Sequence, residues 1–133
     1  MNDDVFLASL EDGSLSPQDF GHRAHLRAGF LYLRRHDFPS ACVAMKRAIT
    51  GFAGRIGKAS LYHETLTIAF LALLAERRAD EPQDIDFEVF MSRYPELEDL
   101  NYFRRYYPAG TLDSPESRQT FILPRPRFDG TLS

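Results

Sequence analysis

The chain has 133 residues and an ordinary globular composition, 44% hydrophobic and 26% charged, with eleven Phe, six Tyr and no Trp. That length supports a core without covalent staples. A net charge of −3 and a pI near 5.8 argue against a nucleic-acid binder working by phosphate neutralisation. Cys42 is the only cysteine, which excludes an internal disulfide and a Cys-based zinc site.

The N-terminus, MNDDVFLASLEDG, is acidic and lacks the basic-then-apolar pattern of a signal peptide. A first short helix is predicted around residues 3–11, with Phe6 and Leu10 on one side and a stop near Gly13. Ser16-Pro17-Gln18-Asp19 then reads as an N-cap, a proline at the first helical position and an acid in the first turn. The helix it opens is expected to run to about Arg35. Pro39 breaks the chain. Beyond it, Ala41, Met45, Ala48, Ile49, Phe52 and Ile56 fall on one helical stripe, and Gly57 is the candidate C-terminal cap. Cys42 lies on the same broad face and reads as a small buried hydrophobe rather than a nucleophile.

A further helix is expected from about Ala59 to Arg78. Between Leu66 and Ala75 it is apolar on every side, as in a central helix surrounded by others. Its apolar run, Ile68–Ala75, is far too short to span a bilayer. A loop, DEPQDID, precedes a helix near 85–94 that groups Phe87, Phe90, Met91 and Tyr94. Leu97 and Leu100 suggest another short helix, and Ser114-Pro115-Glu116 repeats the cap-then-proline signal, with the last turns reaching about Phe121. The tail, 122–133, is expected to be extended or flexible. No stretch alternates like a strand. The expected fold is all-α: a compact bundle of about four to six helices in one domain, 1–133, located in the cytoplasm.

Two histidine clusters carry the functional signal. At roughly 100° per residue, Arg23, Arg27 and Arg34 share the natural solvent sector of the helix ending at Arg35. His22 and His25 fall in the opposite stripe with Gly29 and Tyr32. Gly29 costs helix propensity, roughly 1 kcal/mol relative to Ala, and leaves room for a close helix or a ligand. On the helix predicted from Ala59, His63 aligns with Thr67, Phe70 and Leu74, and Glu64 follows it. Buried imidazoles and carboxylates need partners. If the two helices pack side by side, His22, His25, His63 and Glu64 converge in a donor set that suits a divalent transition metal such as Zn, Fe or Mn. Glu64 is then a ligand or the general base, and Tyr62, Thr67 and Arg27 are the ligand-binding candidates around it. Each residue also has a plain reading: histidines donating to carbonyls, Glu64 capping its helix or pairing with a cation, and the threonines bonding back one turn.

His63-Glu64-Thr65-Leu66-Thr67 starts like the zinc-protease H-E-x-x-H, but Thr67 stands where the second ligand belongs. No G-x-G-x-x-G, P-loop or G-x-S-x-G elbow occurs. The combination Phe20-Gly21-His22-Arg23-Ala24-His25-Leu26-Arg27, Tyr62 to Thr67, Tyr106-Tyr107 and Leu112-Asp113-Ser114 resembles a family of small bacterial all-helical proteins. The resemblance runs from about Phe20 to Pro124 and implies the helical fold without a mechanism. It departs at Tyr94-Pro95-Glu96-Leu97, where an Asn-Pro or Asn-Asp type of segment is expected.

Three functions fit these residues. The first is a metal site between the two histidine-bearing helices, serving chemistry on a small molecule. The second is a small-molecule pocket with the same lining and no metal. The third is a non-enzymatic interaction or accessory module, a homodimer or the partner of a larger enzyme, whose histidines knit the core.

Overall fold

Three long helices cross-pack to form the body of the computed structural model, which describes residues 1–124. They are α2 (His22–Arg35), α3 (Phe38–Arg55) and α4 (Glu64–Arg78). A short α1 (Asp3–Asp12) precedes them, and α5 (Phe87–Arg93), α6 (Leu100–Arg104) and α7 (Pro115–Gln119) follow. No strand occurs among the described residues, and none of their helices is long and apolar enough to cross a membrane. The all-α expectation holds. The count exceeds four to six because α6 and α7 are single five-residue turns.

Local chemistry explains most boundaries. Asn2 caps α1 by accepting from Val5 N at 2.8 Å, and Asp37 caps α3 by accepting from Ser40 N at 2.9 Å. Helix α3 ends in a Schellman-type closure: Lys58 N donates to the Ala53 carbonyl at 2.7 Å, while Gly57 takes φ of 73°. Gly57 therefore terminates the helix as its sequence position suggests.

Two helix starts differ from expectation. Ser16-Pro17 opens only a 3-10 turn, Pro17–Asp19, and α2 begins at His22 with Gly21 as its N-cap. Likewise Ala59–Leu61 is a separate 3-10 turn, and α4 begins at Glu64. In both places a tighter turn with i→i+3 bonds satisfies the same local pattern. The second correction moves His63 out of the helix and into its N-cap position.

Helix α4 is central, packing on α2, α3, α6 and α7. One core joins Leu10, Leu26, Phe30, Ala41, Met45, Leu71, Leu74, Phe90, Leu97 and Phe103. Gly29 is where α2 meets α4. A Cβ there would stand 3.0 Å from Leu74 Cδ1 and 3.1 Å from Leu71 Cδ2. The room expected beside Gly29 is thus filled by the neighbouring helix. Gly29→Val should lower stability by about 2 kcal/mol, since overpacking outweighs the modest propensity gain; urea denaturation measures this directly.

Helix α1 is tied down by polar contacts. Arg27 donates to Asp3 Oδ1 and to the Met1 carbonyl, each at 2.8 Å, with its guanidinium 4.5 Å from the Phe6 ring centre. Tyr32 donates to Glu11 at 3.0 Å. Residues 121–124 follow α7 without regular structure. Phe121 and Ile122 are half-buried and Leu123 is exposed. The remainder of the tail expected to be extended or flexible, 125–133, lies outside the described residues.

Candidate functional site

His63 is fully engaged by its own fold. Its backbone precedes α4, so Nδ1 faces the open first turn and accepts from Leu66 N at 3.1 Å. A ring nitrogen that accepts there leaves the other as the donor, and Nε2 donates to the Leu112 carbonyl at 2.7 Å. The Ser117 hydroxyl lies 3.3 Å from the same nitrogen and donates to the Ser114 carbonyl at 2.8 Å. This is not a nucleophile–base pair. The histidine nitrogen nearest the serine carries the proton, and Ser117 is completely buried.

Glu64 points elsewhere. Its carboxylate accepts from Tyr62 OH at 2.6 Å and from Lys46 Nζ on α3 at 3.1 Å. Burial works against its charge, yet the bonds from Tyr62 and Lys46 and the Lys46 charge outweigh it and hold the carboxyl below its ordinary 4.5. The Lys46 ammonium also sits 5.7 Å from the Tyr62 ring centre. Burial, followed by the bond to Glu64, pushes the Tyr62 phenol well above its usual range. Cys42, one helical turn before Lys46, is half-buried; burial and then the Glu64 charge raise its thiol pKa. It packs against the core but is less buried than the small buried hydrophobe expected from sequence. Lys46 is the member of this cluster that the sequence reading missed. Its partner Glu64 lies 18 residues away on another helix, beyond any local signal.

A carboxyl with a depressed folded-state pKa contributes stability that is fully present above its unfolded value and lost as pH falls through the folded value. Glu64→Gln should therefore lower stability at neutral pH and flatten its loss below pH 4.5. Urea midpoints on both sides of that pH test the prediction. The size is modest, because Lys46 is half exposed and the pair is screened.

His22 and His25 are half-buried at the start of α2. His22 Nε2 donates to the Leu97 carbonyl at 2.8 Å, and its ring lies against Phe70 and Phe103. His25 Nδ1 donates to the Gly21 carbonyl at 2.8 Å, and its ring stacks on Phe20 at 3.9 Å. Burial lowers the basicity of His25 most, the Gly21 carbonyl opposes this, and His22 adds a smaller repulsion. Thr67 donates back to the His63 carbonyl at 2.8 Å. Arg27 is spent on α1, as described above.

The structure thus brings Tyr62, Glu64 and Lys46 together, and it places His22, His25 and His63 each on a backbone carbonyl of its own. Among the described residues, no three His, Cys, Asp or Glu side chains are grouped to hold a metal ion. The expected His22, His25, His63 and Glu64 are not gathered at one point: the three rings bond to the Leu97, Gly21 and Leu112 carbonyls and Glu64 to Tyr62 and Lys46. Capping turned His63 toward residues 112–117, while Glu64 turned toward α3. A cleft of about 870 Å³ opens instead beside α3, where Tyr32, Arg35, Arg47 and Arg55 line it. Arg35 is paired there with Asp4 at 2.7 Å.

In comparisons with known proteins, no family model, no curated protein and no solved structure matches this chain.

Proposed function

We propose that this protein is a non-enzymatic interaction or accessory module whose histidines are structural. The observation that carries the reading is the bonding of His63, whose two ring nitrogens are both committed to backbone partners 3 and 49 residues away. A catalytic or metal-binding imidazole needs one nitrogen available to substrate or ion. Support from the surface comes from α6 and its flank, where the half-buried Tyr102 and Tyr106 meet edge to face and Arg105 lies over the Tyr102 ring. Tyrosine and arginine are the residue types on which protein interfaces concentrate binding energy. A lone, unpaired cysteine fits work in the reducing cytoplasm.

The test is elemental analysis of protein purified without an affinity tag or chelator, followed by urea unfolding with and without added Zn²⁺. The reading expects substoichiometric metal and a midpoint that Zn²⁺ leaves in place. About one metal per chain, lost in His63→Ala, would overturn it in favour of the metal site.

A further inference from the structure

Two arginines share one aromatic platform, where Arg78 has no ion pair and Arg34 has only a long one to Asp3. The Arg34 guanidinium lies 5.1 Å from the centre of the Phe30 ring, and that of Arg78 lies 4.7 Å from the same centre. Phe30 is completely buried, so the platform is rigid. Arg34 donates to the Ile85 carbonyl at 2.6 Å and Arg78 to the Gln83 carbonyl at 3.1 Å. These bonds fix both side chains against the α4–α5 loop and neutralise neither charge.

Counter-charge nearby is meagre. Asp3 reaches Arg34 only at 3.9 Å, and its shorter bond is to Arg27 at 2.8 Å. Glu81 is committed to Arg93 at 2.8 Å. Asp84 stands exposed at the rim of the cleft. Among the described residues Arg78 has no carboxylate within 4.0 Å, and its buried Nε has no hydrogen-bond partner. An orphaned guanidinium donor is costly, of the order of 1–3 kcal/mol, and such groups in a folded chain call for an explanation. Both arginines line a single cleft of about 390 Å³, together with Leu33, Gln83 and Asp84. A neighbouring hollow of about 330 Å³ shares Leu33, Arg78 and Gln83 with it.

We infer that this cleft is an oxyanion site in which Arg34 and Arg78 together bind a phosphate or carboxylate group of a small molecule. Guanidinium forks match both anions in bidentate geometry, and the aromatic floor holds them in place. Burial and the Arg34 charge both disfavour the charged form of Arg78, and a bound anion relieves the second of these. The inference does not depend on the histidines and stands whether or not the accessory-module reading survives.

The test uses the full chain at constant ionic strength, titrated separately with inorganic phosphate, malonate and chloride. Binding is followed by the Arg78 Nε–H resonance and by thermal unfolding. The expected result is a saturable shift of that resonance and a rise in Tm with phosphate, malonate or both, but not with chloride; the arm that responds identifies the anion. Arg78→Met, which keeps the aliphatic stem over Phe30, should weaken binding about tenfold, the equivalent of one charge-assisted bond. Arg34→Met should act in the same direction, and Arg104→Met should leave binding as it is. Equal responses to all three anions, or phosphate binding undiminished in Arg34→Met, would refute the site. If Arg78→Met does not fold, the wild-type resonance and Arg34→Met still decide the matter.

Discussion

Replacing His63 with alanine should cost about 3 kcal/mol of stability. The estimate combines loss of the cap on Leu66 N, typically about 1 kcal/mol, with a buried Leu112 carbonyl left without its donor, about 1–3 kcal/mol. Against a total stability on the order of 5–15 kcal/mol for a domain of this kind, that is a large fraction. Tm should fall by roughly 10 °C. His63→Asn separates the contributions. Its short side chain can restore the cap on the first turn of α4 but cannot reach Leu112, so it should recover about 1 kcal/mol of the loss. Urea denaturation of the three proteins, each with and without chelator, reads both numbers. A loss confined to chelator-free samples would mean that a metal, not the backbone network, holds His63.

Phe30→Ala should be more damaging still, by about 4 kcal/mol. Phe30 has no exposed surface, packs on Phe90 at 5.0 Å and Phe87 at 5.4 Å, and carries both Arg34 and Arg78. Truncation opens a cavity between α2 and α5 and leaves two guanidinium groups without their floor. Phe30→Leu keeps most of the volume and should cost less than half as much. Equilibrium unfolding of the two variants checks the ordering. Similar losses in both would assign the effect to the cation–ring contacts rather than to the cavity.

Much of the scaffold was readable without coordinates because its signals are local. The stripe from Ala41 to Phe52 produces α3, while Ile56 falls at its C-cap and is exposed; Gly57 ends the helix, and the all-round apolar stretch Leu66–Ala75 marks α4 as central. Gly29 announced a close approach, and Leu71 and Leu74 of α4 provide it. The helix starts were harder. Ser16-Pro17 and Ala59-Ser60 satisfy a 3-10 turn as well as an α-helical one, and the choice rests on packing further along the chain. His63 was misplaced for a related reason. Histidine is not among the usual capping residues Ser, Thr, Asp and Asn, so nothing in the sequence placed it outside the helix. Once it becomes the cap, its ring swings to Leu112 and Ser117, and Glu64 is free to meet Lys46 from α3. Those partners lie 18 to 54 residues away, and helical periodicity is blind to such distances. The pairing of Arg34 with Arg78 was invisible for the same reason.

The first turn of α4 also determines how the chain comes apart. Thr65 donates to the Thr120 carbonyl at 2.9 Å and accepts from Ile122 N at 3.1 Å, two residues from the His63 link to Leu112. Tyr107 adds one further bond, to the Ile122 carbonyl at 2.9 Å. Residues 112–122 are therefore held to the body chiefly through the start of α4, with Tyr107 as a second tie. A segment held that way opens as one cooperative unit before the remainder unfolds. Amide hydrogens throughout α7 should exchange with a shared, sub-global protection, while those of α2 and the middle of α4 wait for complete unfolding.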